Sequence, residues 1–90
     1  MVTFRLFSSL RDAVGRKEVE IEADNLPVRE ALRRFADAHG EPVRDFLFNP
    51  QGRMWDSIML LVNGETVDRR EDIVLSSGDV VSVLLPTAGG

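Results

Sequence analysis

The chain begins with two short segments in which apolar and polar residues alternate. Residues 2–7 alternate in this way, and residues 17–22 place Val19 and Ile21 on one side and three glutamates on the other. A period of two is typical of a β-strand with one buried and one solvated face. We therefore predict two strands, joined by a short connection at 8–15 that has helical character.

Residues 27–38 predict the main helix, because apolar residues recur at i, i+3, i+4, i+7 and i+8. Pro27 suits the first turn, where its missing N–H is not needed, and Gly40 with the proline after it ends the helix. Glu30 and Arg34 are four residues apart and predict an ion pair on the solvent side. The apolar stripe consists of Val28, Ala31, Leu32, Phe35 and Ala36.

The middle of the chain predicts a turn with aromatic residues around it. Residues 43–48 indicate one helical turn, and Asn-Pro-Gln-Gly at 49–52 matches a type I turn. Residues 57–62 are apolar on both sides, which predicts a strand covered on both faces or an edge strand under a lid. The aromatic residues favour a small satellite core beneath the turn, or else an exposed partner site; they are Phe46, Phe48 and Trp55.

The last third of the chain predicts a hairpin and a final strand. Asn63-Gly64 is a strong signal for a tight hairpin turn, with 65–67 as the return strand. A turn at 77–79 leads into the last strand, 80–85. This order of strands around one helix predicts an α+β roll, with the helix packed across the sheet. The predicted sheet side of the core is Phe4, Leu6, Val19, Ile21, Leu60, Val81 and Val83.

Composition narrows the functional classes. Ninety residues with 43% hydrophobic and 29% charged content are typical of one globular domain. The net charge of −4 argues against non-specific binding of nucleic acid. The absence of cysteine excludes disulfides, thiolate nucleophiles and zinc thiolate sites. No apolar run approaches the ~20 residues that span a bilayer, and the first residues lack a signal peptide, so we expect a cytoplasmic protein without a membrane or metal partner.

Several short segments together resemble a known family. They are VTFRLF at 2–7 followed by Leu10-Arg11, VREAL at 28–32, VNG at 62–64, and GDVV at 78–81 leading to PTAGG at 86–90. In this order they resemble the ubiquitin-like β-grasp fold, and within it the MoaD/ThiS family of sulfur carriers. That family is typified by the molybdopterin synthase small subunit and the thiamine-pathway sulfur carrier.

The resemblance implies one β-grasp domain over residues 1–90, with a mixed sheet of four to five strands and one main helix. Two features depart from the usual family pattern. Leu85 stands where many members carry a first proline before the tail. The stretch 45–55 is longer than in compact bacterial small subunits, and in this the chain is similar to archaeal ubiquitin-like small modifiers.

The resemblance assigns the chemistry to the last five residues. A carboxylate is a poor electrophile, so an E1-like enzyme would adenylate Gly90 with ATP, and sulfur from a donor would then give a thiocarboxylate. Gly89 permits entry into a narrow channel, because it has no side chain. Ala88 and Thr87 are small, and Pro86 stiffens the exit from the last strand. We expect these five residues to form a flexible, reactive tail.

Three functions stay open at this point. The first is a sulfur carrier that forms the small subunit of molybdopterin synthase with a large catalytic subunit. The second is a ubiquitin-like modifier joined through Gly90 to target lysines. The third is a non-reactive ubiquitin-like interaction module. In each, the chain is not an enzyme on its own and binds no cofactor; in the two reactive functions, the activating enzyme uses the ATP.

Strand alternation predicts a surface for partner proteins. If Phe4 and Leu6 face the helix, Phe7 faces away from it, and Leu84 likewise faces away if Val83 faces in. Because the first and last strands are neighbours in a β-grasp fold, Phe7 and Leu84 would lie together near the tail. Exposed apolar side chains there indicate a docking patch, unless one of them is tucked under a loop.

The remaining charged residues predict solvated surface. His39, the only histidine, ends the main helix and is expected to cap it or to be exposed. Arg29, Arg33 and Arg34 predict a basic, solvated helix face. Lys17 is the only lysine, so it is the only side-chain amine through which copies of this chain would be linked.

Overall fold

The computed structural model describes residues 1–68 and 73–85. The predicted tail residues Pro86, Thr87, Ala88, Gly89 and Gly90 lie outside the described residues. The elements, in chain order, are β1 (Val2–Leu6), α1 (Ser8–Val14), β2 (Glu18–Ile21), α2 (Val28–His39), α3 (Val43–Leu47), β3 (Met59–Val62), β4 (Glu65–Val67) and β5 (Val80–Leu84).

The five strands form one mixed sheet in the order β2-β1-β5-β3-β4. The two central strands, β1 and β5, run parallel, with Phe4 beside Val81 and Leu6 beside Val83. All other neighbours are antiparallel. The predicted α+β architecture is confirmed, with a five-stranded mixed sheet and one main helix in the β-grasp arrangement.

The core lies between the inner face of the sheet and α2. Phe4 and Phe35 are both fully buried, and their rings meet edge to face with centroids 5.3 Å apart. All five residues of the predicted helix stripe are buried, as are the predicted residues of β1, β3 and β5. Val19 and Ile21 are only half-buried against this core, because β2 is an edge strand.

Two predicted turns are confirmed in detail. Asn63 and Gly64 both have positive φ, 53° and 86°, as a tight hairpin turn between antiparallel strands requires. At the type I turn, the N–H of Gly52 donates to the carbonyl of Asn49 over 2.8 Å. The side-chain oxygen of Asn49 also accepts from the N–H of Gln51 and of Arg53. These bonds explain why asparagine occupies the first turn position.

Two interpretations of the sequence are wrong. The segment that includes β3 is neither covered on both faces nor an edge strand, since β3 pairs with β5 and β4 and Met59 is 49% exposed. Glu30 and Arg34, both within the described part of the chain, form no ion pair. The guanidinium of Arg34 donates instead to the carbonyl of Glu22 over 3.3 Å. A bond to the neighbouring loop thus replaces the local pair.

The predicted basic face of α2 is also divided. Arg33 donates to the carbonyl of Gly52 over 3.4 Å, and its guanidinium carbon lies 5.7 Å from the centre of the Phe48 ring. Arg34 reaches Glu22 on the other flank of the helix. Consecutive residues of an α-helix point about 100° apart, so Arg33 and Arg34 do not share one surface.

Polar bonds join β3, β4 and β5 at the end of the sheet where β5 begins, which we call the far end. The carboxylate of Asp79 accepts from the N–H of Ser76 over 2.8 Å and from the side-chain amide of Asn63 over 3.1 Å. The amide oxygen of Asn63 accepts from the N–H of Val80 over 3.0 Å. These two bonds to the Asp79 carboxylate, the one from Ser76 contributing more, lower its pKa below the usual 3.8.

We predict that Asp79→Asn lowers the free energy of unfolding at neutral pH. A lowered folded-state pKa gives stability that is complete above pH 3.8, the usual value, and is lost as the pH falls through the folded-state pKa. The difference from wild type should therefore vanish in acid. Urea unfolding of both proteins, from neutral pH to below pH 3.8, measures this difference in the free energy of unfolding. The control is Asp45→Asn, at an exposed position, and a pH-independent difference for Asp79→Asn would contradict the prediction.

Neighbouring residues of β5 should respond differently to the same substitution. Val83 is fully buried on the inner face, so Val83→Asp should cost about 4 kcal/mol or more of unfolding free energy, because its carboxylate would be buried without a partner. Leu84 is half-buried on the outer face, and Leu84→Asp should cost about 1–2 kcal/mol. Urea unfolding gives both values. Equal losses would show that Leu84 does not face outward.

Candidate functional site

The chain leaves the sheet at the end of β5, and we call this end of the sheet the tail end. Leu85, the last described residue, is half-buried and packs against the core. Because β1 and β5 are parallel, β1 also finishes here, and Leu6 lies beside Val83. The five residues predicted to carry the chemistry therefore follow directly from a position next to the end of β1.

Four apolar side chains lie at this end on the outer face of the sheet, the face turned away from α2. Met59 lies directly opposite Leu84 in the β3–β5 register. Continuing the β1–β5 register by one residue places Phe7 beside Leu84. Met59 is 49% exposed, while Phe7, Leu61 and Leu84 are half-buried. We call this set the tail-end patch: Phe7, Met59, Leu61 and Leu84.

The polar residues next to the tail-end patch confirm which way it faces. The guanidinium carbon of Arg5 lies 5.8 Å from the centre of the Phe7 ring. Arg5 is exposed and sits opposite Ser82 on one side and Glu18 on the other. A cation over an aromatic face holds that ring in place at the surface, and such contacts contribute about 0.5–1 kcal/mol when exposed.

The structure brings together the two residues predicted from the sequence for partner binding. Phe7 and Leu84 share one face and one end of the sheet, and each keeps part of its surface exposed. Their contact with a partner stays a prediction. Met59 and Leu61 were not among the predicted residues, because the apolar pattern of 57–62 indicated a covered segment. Alternation was the available signal, since with Leu60 inward both of its neighbours must face outward.

The aromatic residues around the type I turn were predicted to form either a satellite core or an exposed partner site, and the structure shows some of each. Phe46 and Phe48 are half-buried and pack against the core. Trp55 is 42% exposed, and its indole N–H donates to the carbonyl of Asp45 over 2.9 Å. His39 is exposed as expected, with its ring 4.8 Å from that of Phe35. The aromatic cluster is thus mainly core, with one exposed indole.

The helical side carries a shallow open cleft of about 360 Å³ between α2, α3 and the type I turn. Its wall includes an ion pair, in which Arg44 donates to Asp37 over 3.1 Å. An open cleft lined by a paired acid and base offers no group for covalent chemistry. It is also separate from the outer face of the sheet, where the tail-end patch lies.

The described residues contain no cluster of three or more His, Cys, Asp or Glu side chains that would hold a metal ion. Within the same ranges, no helix has both the length and the apolar character needed to cross a bilayer. The tail-end patch adjoins the position from which the tail departs, and the open cleft does not.

Comparison with known proteins places the chain in a family. A sequence model described as the ThiS family matches residues 4–90. The small archaeal modifier protein 1 of Haloferax volcanii is 28% identical over 88 residues, which cover 97% of this chain and 98% of that protein. The crystal structure of that modifier matches with a TM-score of 0.82 at 25% identity, over 99% of this chain and 98% of the other.

Two further solved structures are similar. A protein described as putative molybdopterin converting factor, subunit 1, from Pyrococcus furiosus matches at 28% identity and a TM-score of 0.72, over 94% of this chain and 95% of that one. A chain of the BexX/CysO complex of Amycolatopsis orientalis matches at 26% identity and a TM-score of 0.77 over the full length of both. The match over residues 4–90 shows that this chain belongs to the ThiS family of ubiquitin-like sulfur carriers and modifiers, small carrier proteins that are not themselves catalysts.

Proposed function

We propose that this chain is a sulfur carrier whose Gly90 carboxylate is adenylated and then converted to a thiocarboxylate. It delivers sulfur in molybdopterin biosynthesis as the small subunit of molybdopterin synthase. An E1-like enzyme supplies the ATP-dependent step, a separate donor supplies the sulfur, and the large subunit supplies the catalytic site. The chain acts in the cytoplasm and holds no cofactor of its own.

The observation that carries this proposal is the position of the tail-end patch beside the departure point of the tail. A protein that takes up Gly89 and Gly90 in a channel must also cover the surface next to that channel. Apolar side chains at that point, such as Met59 at 49% exposed, are suited to burial in such a contact. Family membership adds that a relative, CysO, is solved in a complex, BexX/CysO.

The choice of molybdopterin as the destination of the sulfur rests on the similarity of this chain to one named protein. The Pyrococcus furiosus protein named as a putative molybdopterin converting factor is 28% identical to this chain over nearly its whole length. The amino-acid composition limits how such a carrier would hold sulfur. This chain has no cysteine to hold sulfur as a persulfide, so its terminal carboxylate is the group left to carry it.

A second function has its own support. The Haloferax volcanii relative is named a modifier, and it matches this chain at 28% identity over almost its full length. The same activated Gly90 would then form an amide with a lysine of a target protein. Carrier and modifier share the activation step and differ only in whether sulfur or an amine attacks the acyl group.

The carrier proposal predicts a defined change in mass. The protein is incubated with ATP, a sulfur donor and the E1-like enzyme of the same organism, and its intact mass is measured. We expect a gain equal to the exchange of one oxygen for sulfur, because only the terminal carboxylate is activated. Deletion of Gly90, or one added alanine after it, should abolish the gain.

The other outcomes of this experiment identify the alternatives. When target proteins are added to the mixture, conjugates in which the Gly90 carboxylate is joined to their lysines, without the gain in mass, would favour the modifier. An unchanged mass, with an enzyme that is active on a control carrier, would contradict both reactive functions and leave an interaction module.

The tail-end patch predicts a separate binding result. Phe7→Asp should weaken binding to the activating enzyme by about 10-fold or more, because a charge would replace an apolar contact at the centre of the interface. Calorimetry or a fluorescence titration measures the affinity. The matched control is Val74→Asp, since Val74 is 55% exposed and lies at the far end next to Pro27. If Phe7→Asp stays folded and binds like this control, the patch is not the docking surface.

A further inference from the structure

A short turn between α1 and β2 brings two cations to the tail end of the sheet. The carbonyl of Lys17 accepts from the N–H of Leu6 over 2.8 Å, and Leu6 lies beside Val83 in the parallel pair. One row therefore runs across the sheet through three side-by-side residues, Lys17, Leu6 and Val83. With strands about 4.8 Å apart, Lys17 lies about 10 Å from Val83, close to where the tail departs.

The backbone of this turn is fixed by its own bonds. Gly15 ends α1 with a φ of 82°, a left-handed conformation that glycine adopts without steric cost. Its N–H donates to the carbonyl of Arg11 over 2.7 Å. Residues 16 and 17 are thus held between the cap of a helix and the first bond of a sheet. Their side chains are exposed on a defined scaffold.

Arg16 and Lys17 line two open surface depressions, one with Arg11 and Asp12 and the other with Glu18 and Glu20. The Nε atom of Arg11 lies 3.9 Å from a carboxylate oxygen of Asp12. Glu18, the next residue, lies opposite Arg5. Within ranges 1–68 and 73–85, Arg16 and Lys17 have no ion pair. We call Arg16 and Lys17 the basic rim; it stands out on a protein of net charge −4.

Any protein that takes up the tail must approach the basic rim. A standard interface covers about 800 Å² on each partner, which corresponds to a circle with a radius of about 16 Å. The distance of about 10 Å from Val83 to Lys17 falls inside such a circle. Covering two cations without opposite charge is costly, because they lose water and gain nothing in return. Negative charge on the partner surface at this place would offset that cost.

We propose that the basic rim binds Asp and Glu side chains on the protein surface next to the channel that receives the tail. This inference rests on the proposed function, since it assumes that a partner encloses the tail. The tail-end patch supplies apolar contact on the outer face, and the basic rim supplies a charge contact at the edge of the sheet, where Lys17 shares the row of the inward-facing Leu6 and Val83. Two different contacts fix the rotation of the carrier about its tail, and the charge contact also speeds encounter.

The test compares charge reversals at the two ends of the molecule. Arg16→Glu and Lys17→Glu, made singly, should each weaken binding to the E1-like activating enzyme about 5-fold, chiefly through slower association. The matched control is Arg34→Glu, which makes the same change in net charge at the far end, where Arg34 contacts Glu22. It should stay within about 2-fold of wild type. Lys17→Arg keeps the charge and should bind like wild type.

Salt gives a second measurement with the same proteins. Raising the salt from about 0.05 M to about 0.5 M screens exposed charges, so it should weaken wild-type binding more than binding of either rim variant. Circular dichroism and urea unfolding check that all variants fold. If the wild-type chain is activated and the rim variants bind like Arg34→Glu, the proposed contact of the basic rim with acidic residues is wrong, while the carrier function stands. A wild-type chain that the enzyme does not activate overturns both.

Discussion

The parallel pairing of β1 with β5 is the constraint on which the functional surface depends. Parallel strands finish at the same end of a sheet, so the end of β1 lies beside the end of β5 and Phe7 comes next to Leu84. The antiparallel neighbours then begin there, which brings Met59 and Lys17 to the same place. An antiparallel β1–β5 pair would separate the departing tail from Phe7 and Lys17.

The same strands that build the core also present the functional surface. Phe4 and Val83 point inward to α2, while Arg5 and Leu84 point outward, because side chains alternate along a strand. A shift of one residue in the β1–β5 register would turn the buried set outward and cost most of the hydrophobic stabilisation. The contact of Phe4 with Phe35 thus helps to hold Leu84 on the outer face, without touching it.

Local patterns made much of this arrangement predictable, and long-range contacts set the rest. The α2 stripe and the Asn63-Gly64 turn depend on neighbours in sequence, so their spacing was sufficient. Strand order depends on the whole chain, and for that reason the position of β3 in the sheet was misjudged. Arg34 was misjudged for a similar reason, because its partner is a carbonyl twelve residues away and not the nearby Glu30.

At the candidate site, the sequence alone did not show which side chains lie next to one another. Alternation was enough to turn Phe7 and Leu84 outward, and the pairing of first with last strand came from the resemblance. The charge of the basic rim was visible in the sequence only as one lysine after one arginine. Its meaning depends on the bond between Leu6 and Lys17, which places a turn residue in line with β5.

The two ends of the sheet have different roles. At the far end, the N-terminal amine contacts Asp24 over 3.0 Å, and Asp79 joins the hairpin to the last turn. These bonds stabilise the fold away from the tail. The sequence of the tail, PTAGG, has small side chains that offer few atoms for recognition. An enzyme that discriminates between such carriers must therefore contact the folded body, and specificity then resides in residues such as Phe7 and Lys17.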